Sequence, residues 1–441
     1  MSQRADRERQ IALETSSLLS TWHRVDSRNR QLGWMRYDPG DIDDHRWLGA
    51  LPAPYVRRLA RNAMRAADLI APISMHSLLR VQRTVVPTAF YHVGMAYLMR
   101  ERISCPDTHW SKGEVEAVCS EAIARRLDAE HMCWAHPYRH HAKGWREGNL
   151  SFAPPSCAHH TARLGLLLLE VGRAHSIPGL ISAGVSAARA LNEYHRWREY
   201  PDGTATVSYY PNTDDETINT CADVAALLSL VPLDHEFSKR QERLFGLVKM
   251  VLNEQQANGS WTYCTNRHYQ EHSDKPYVDN HHSAEVLQAL ARVYASGLLT
   301  GPIESQICTS IRRGIEYYCD AFIRQDGSSS YFPHGRRDTE IVGYTEGLAA
   351  IAWCFRSEAV SPEESLGRRL LREAGCLLIS SLQFLDTRTY DVASDKRFQM
   401  FYKIKSLRWG SGPLLEGIQY VLWMMSGLKA TEVCRTEAVA R

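Results

Sequence analysis

Two kinds of helical segment alternate six times along this chain, and that alternation limits the fold more than any single motif does. From Tyr55 onward, a moderately polar segment is followed by a connection and then by a segment rich in Ala, Leu and Val. The apolar segments begin near Thr88, His159, Thr217, His281, Tyr344 and Pro413, about 57 to 72 residues apart. Their polar partners run from Tyr55 to Ala71, Lys112 to Leu127, Pro178 to Arg196, Ser238 to Gln255, Pro302 to Phe322 and Pro362 to Phe384. A helix that is apolar nearly all round must be buried, whereas one with an apolar stripe belongs on a surface. An inner ring wrapped by an outer ring satisfies both. The expected fold is all-α, an (α/α)6 toroid of six helical hairpins over residues 55–430, with 1–54 a lead-in or cap and 431–441 a tail.

The connections from the second to the sixth outer segments into their inner partners should share one rim, because their hairpins point the same way. They also share a chemistry: Cys133 to Tyr138 reads CWAHPY, Val207 to Asp215 VSYYPNTDD, Gly259 to Cys264 GSWTYC, Ser329 to His334 SSYFPH and Met400 to Lys403 MFYK. Aromatic and polar residues alternating in short runs predict strand-like pieces across the mouth of the ring. Ser238 with Gln241 and Ser361 with Glu364 match the capping box, and Pro362 suits a first helical position. Gly259 releases the backbone at the end of the fourth outer helix, where Gln255 and Trp261 can hydrogen-bond and cover the exposed carbonyls.

Composition excludes several classes. Fifty-two basic against fifty acidic side chains leave a net charge of +2, too little to draw the chain to nucleic acid. No run approaches the roughly 18 apolar residues of a membrane span, and the charged N-terminus has no secretory signature. Eleven scattered cysteines suit reduced thiols and a cytoplasmic setting. Cys133, His136, His140, His141, Cys157, His159 and His160 lack the spacing of a closed zinc site, so no metal and no cofactor are expected.

The starts of the inner helices carry the candidate chemistry. Asp214, Asp215 and Glu216 stand before the third, where one acid kept protonated would serve as a general acid and caps would otherwise account for all three. Asp279, His281 and His282 open the fourth, and His159 and His160 the second; imidazoles there can move protons. Asp214, Asp215, Asp279 and His281 are the catalytic candidates. Trp134, His136, Tyr209, Tyr210, Trp261, Tyr263, His334, Arg336, Tyr344, Glu346 and Trp409 join His159, His160 and His282 as candidate substrate contacts.

QQANGSW at Gln255 to Trp261 resembles the Q-W repeat of squalene and terpenoid cyclases and of the related protein prenyltransferase toroids. Asn212-Thr213-Asp214-Asp215 resembles the acid motif of class II terpene cyclases, with Asn in place of its first acid, and implies Asp214 as proton donor. A broader resemblance takes in CWAHPY, SYYP, LNEQQANGSWTY and YVDNHHSAEVLQAL, in that order. These four motifs look like a family of cytoplasmic bacterial proteins of exopolysaccharide gene clusters, assigned to α/α-toroid superfamilies. Three functions follow as expectations: an enzyme doing acid/base chemistry on a small-molecule or oligosaccharide substrate (hydrolysis, epimerisation or elimination), a class II cyclase acting through Asp214, or a non-catalytic scaffold.

Overall fold

The computed structural model describes residues 2–33, 85–103, 112–127, 131–135, 156–211, 213–235, 237–272, 275–336, 339–385 and 411–439, with helical pieces at 55–56, 59–60 and 63–64. The inner helices are α2 (Thr88–Arg102), α4 (Ala158–Ala174), α6 (Ile218–Leu230), α9 (Asn280–Ala295), α11 (Ile341–Arg356) and α13 (Gly412–Val439). Each packs on the next, and α13 returns to α2, which closes the ring. The outer layer is α1 (Ser2–Leu32), α3 (Lys112–Ala124), α5 (Pro178–Tyr194), α7 (Arg240–Asn253), α10 (Pro302–Phe322) and α12 (Ser365–Leu382), and a short α8 (Asn266–His272) lies within the fourth connection. The protein is an (α/α)6 toroid.

Burial follows the two helix classes. Every residue of α6 from Ile218 to Ser229 is buried, whereas α10 buries only one stripe, including Ile307, Ile311, Ile315 and Phe322. α1 falls in the segment expected as a lead-in, yet it lies against α13 as an outer helix. Trp22 is fully buried and its Nε1 donates to the Leu415 carbonyl at 3.1 Å, while Tyr97 of α2 donates to Asp26 at 2.6 Å. The outer segment expected from Tyr55 to Ala71 lies mostly outside the described residues.

The Gln255–Trp261 segment closes α7 as its residues suggest. Trp261 Nε1 donates to the Val251 carbonyl at 2.8 Å, and Gln255 Nε2 donates to Gly259 at 3.0 Å and to Ser310 of α10 at 2.9 Å. Gly259 has φ +94° and approaches so closely that a Cβ would lie 2.5 Å from the Arg313 carbonyl oxygen. Only glycine suits both demands. Ser238 does not cap α7, because Lys239 takes the N-cap position with a left-handed backbone. At Ser361 the predicted reciprocal bond exists, Ser361 N–H to Glu364 at 2.8 Å, but it forms a turn ahead of α12, whose N-cap is Glu364.

The rim carries a β-hairpin, β1 (Trp197–Glu199) antiparallel to β2 (Ala205–Val207), with single bridges Thr217 to Cys264 and Ile323 to Ser329. It also repeats one device. The first N–H of α4 donates to the Tyr209 carbonyl at 2.9 Å, that of α6 to Tyr263 at 3.0 Å and that of α9 to Tyr331 at 3.1 Å. The aromatic connection of each following hairpin therefore satisfies the first N–H of the inner helix before it.

Candidate active site

The lumen is organised in layers. About two turns into every inner helix stands one ionisable side chain: His92, Arg163, Asp223, Glu285, Glu346 and Glu416. Six residues from six helices thus meet on the ring axis. Arg163 is the hub, with Nε 3.2 Å from Asp223, Nη2 3.0 Å from Glu285 and Nη1 3.1 Å from Glu346. The last bond spans the ring, since α4 and α11 stand opposite each other. His92 Nδ1 lies 2.6 Å from Glu416 and its Nε2 4.0 Å from Glu346. All six are buried.

Burial of carboxylates normally raises their pKa, and here it is overridden. Against that burial, Arg163 and then His281 and His159 hold Glu285 well below the usual carboxylate range. Glu346 is likewise depressed despite burial, chiefly by Arg163. The guanidinium itself stays charged, because Asp223, Glu346 and Glu285 more than offset its burial. A buried charge persists only when it is paired and bonded in this way.

One helical turn nearer the rim, positions four residues earlier project on the same face. His159 stands above Arg163 and His281 above Glu285. His159 Nδ1 is 2.9 Å from Asp223, while its Nε2 lies 3.9 Å from Glu285 Oε1. His281 Nε2 lies 3.2 Å from that same oxygen. Burial pushes the His281 imidazole down, but Glu285 reverses this and raises it to about 9. His282 stacks on His281 with ring centroids 4.6 Å apart. Its Nδ1 meets Asp279 at 2.7 Å, and Asp279 also caps α9 through the His282 N–H at 2.9 Å. Despite full burial, the neighbouring His282 and His281 hold Asp279 below its usual range.

The remaining candidates occupy several settings. Asp214 is at the surface, paired with Arg196 and 3.5 Å from Arg198. Asp215 is buried and accepts from the Tyr209 N–H at 3.2 Å, from the Thr213 hydroxyl and from Thr217 at 3.4 Å; burial lifts it to about 6. Glu216 turns the other way, to Tyr200, Arg198 and Thr265. Tyr263 is half-buried, edge-on to His282 at 4.5 Å and stacked on Tyr277 at 5.2 Å. Trp134 is fully buried, its Nε1 donating to Ala122 at 2.7 Å, and Trp261 is committed to α7.

Tyr209 and Tyr210 pack on each other beside Cys157, His160 is fully buried, and the Tyr344 hydroxyl accepts from the Ser329 N–H at 3.0 Å. His334 and Arg336 line a separate hollow with Asp320 and Arg324. His136 and Trp409 lie outside the described residues.

Among the described residues, two groups have metal-ligand atoms within 4.8 Å of one another, His281–His282–Glu285 and His159–Asp223–Glu285. Arg163 already occupies Glu285 and Asp223 as their cation, so neither group offers a vacant pair of negative charges. The charge layer itself is what the sequence reading missed. Its signal is an ionisable residue at the fifth or sixth position of each apolar helix, and of the six only Glu346 is among the sequence candidates.

No protein-family model matches the sequence, and no curated protein matches it. Solved structures share the fold. A sugar epimerase from a ruminal bacterium superposes with TM-score 0.54 at 12% identity, over 77% of this chain and 87% of that one. The cellobiose 2-epimerase of Bacillus thermoamylovorans gives 0.53 at 12% identity, again over 77% and 87%. A glycosyl hydrolase family 88 protein from Bacteroides vulgatus gives 0.53 at 9% identity over 93% and 99%. At such identities the likeness establishes the toroid. No described helix is long and apolar enough to cross a membrane.

Proposed function

We propose that this protein is an enzyme that moves protons on a saccharide with the imidazoles at the mouth of its ring, in an epimerisation or elimination. The observation that carries this reading is the pair of Nε2 atoms, from His159 and His281, that flank Glu285 Oε1 at 3.9 and 3.2 Å. His281, protonated at neutral pH, is the donor to an oxygen. His159, held by Asp223 through Nδ1, accepts a carbon-bound proton through Nε2. Glu285 holds both imidazoles in register.

Hydrolysis is less well supported. A glycosidase needs one carboxylic acid that keeps its proton beside a second, ionised carboxylate. Glu285 and Glu346 are both held in the ionised form by Arg163. The cyclase reading meets a different objection: Asp214 is paired with Arg196 at the surface, whereas protonating an alkene calls for an enclosed apolar cavity around the acid. Similarity of the toroid to carbohydrate-acting enzymes and the four ordered motifs support a saccharide substrate and a place in cytoplasmic bacterial polysaccharide synthesis.

The test is hydrogen exchange at carbon. Reducing oligosaccharides and uronate-containing glycans incubated with the enzyme in D2O should gain deuterium at one carbon, or yield an unsaturated product, with loss of the effect in His281→Gln. Release of reducing ends without carbon exchange would replace this reading by hydrolysis, and no change in any glycan would favour a scaffold.

A further inference from the structure

The mouth layer contains more than its two imidazoles. Thr88 stands four residues before His92 and Asn219 four before Asp223, so both project one turn above the charge layer. Asn219 is 4% exposed and Thr88 3%. The Asn219 Nδ2 donates to Glu285 Oε2 at 2.8 Å. An ionised carboxylate only accepts, which settles the orientation of the amide and turns Oδ1 away from Glu285. That Oδ1 and the Thr88 Oγ1 are buried without a hydrogen-bond partner among the described residues. A buried acceptor left unmade is unfavourable unless a donor arrives.

The surrounding charge restricts what that donor belongs to. Four acidic side chains, Asp223, Glu285, Glu346 and Glu416, share the layer beneath with one guanidinium, and Arg163 is ion-paired with three of them. The first N–H of each of α4, α6 and α9 is spent on the carbonyl of Tyr209, Tyr263 or Tyr331. Even with the protonated His281 counted beside Arg163, the four carboxylates outnumber these cations, so an anionic group entering here meets more negative than positive charge among them.

We propose that Asn219 is a specificity-determining contact whose Oδ1 accepts a hydrogen bond from a hydroxyl of a neutral sugar residue, with Thr88 as a second hydroxyl contact. This rests on the saccharide reading and deepens it. It selects uncharged sugars over uronates and sugar phosphates, and therefore favours epimerisation over elimination at a uronate.

Calorimetric titration of the full chain with cellobiose, mannobiose, a glucuronate-ended disaccharide and glucose 6-phosphate tests it. At least one neutral disaccharide should bind, and Asn219→Ala should weaken it about ten- to hundredfold. A monodeoxy analogue lacking the contacted hydroxyl should bind wild type and Asn219→Ala equally, a result that a purely structural role for Asn219 does not produce. Tighter binding of the uronide or the phosphate would overturn the inference while leaving the saccharide reading standing. An equal loss for every deoxy analogue in both proteins would remove Asn219 as a contact. Binding of none of the four would sink the saccharide reading, and this inference with it.

Discussion

Three acids adjacent in the sequence and six ionisable residues scattered along it behave in opposite ways. Asp214, Asp215 and Glu216 fan out from one stretch: the first pairs with Arg196 at the surface, the second is wrapped in hydroxyl and N–H donors, and the third ties the β-hairpin to the fourth connection through Tyr200 and Thr265. His92, Arg163, Asp223, Glu285, Glu346 and Glu416 come from six different hairpins and converge on one axis. Charge density along a chain is therefore a poor guide to charge density in this fold. Successive rim residues alternate in direction, whereas equivalent turns of ring helices all face inward.

The sharpest way to break that comparison is to remove the hub. Arg163→Met leaves Asp223, Glu285 and Glu346 buried without their common cation, and loss of one partner from a buried ion pair typically costs about 3–5 kcal/mol. Urea unfolding at neutral pH should show a destabilisation of that order, and a shift below about 1 kcal/mol would mean that the layer is already neutralised by its histidines.

Next comes His281→Gln, expected to lower turnover by roughly 10²–10⁴-fold while the chain stays folded, with a lowered melting temperature at neutral pH because the raised imidazole pKa also stabilises the fold. Comparable turnover in the variant would move the chemistry elsewhere on the rim.

The third test is pH. The folded pKa of His281, about 9, exceeds its ordinary 6.5, so its contribution to stability is complete below 6.5 and disappears as pH rises through 9. The urea midpoint of the wild type should fall across that window, and His281→Gln should flatten the slope. A slope unchanged by the substitution would assign the titration to another group.

The smallest effect should come from Asp214→Asn. An exposed pair with Arg196 is worth at most ~1 kcal/mol, and activity should persist. Abolished activity with intact folding would restore Asp214 to the catalytic role that its motif implies.

The architecture was legible because it depends on periodicity. The expected starts at Thr88, His159, Thr217, His281, Tyr344 and Pro413 fall within three residues of the observed Thr88, Ala158, Ile218, Asn280, Ile341 and Gly412. α1 was less legible. Its buried Trp22 and Val25 look like any short stripe until α13 is beside them.

Of the candidate site, His159 and His281 could be picked out as imidazoles at equivalent repeat positions, and both face the lumen. Trp134 and Trp261 illustrate the opposite case. An aromatic beside the mouth in sequence can instead turn its ring back into the helix packing, where its N–H finds a free carbonyl.

The amino-acid sequence alone determined that six pairs of helices would form two concentric rings, because burial on all sides or on one side is a property of each helix by itself. Only the tertiary structure decided which polar residues meet. Arg163 and Glu346 are 183 positions apart, and their bond exists because ring closure sets opposite helices one side chain from the axis on either side.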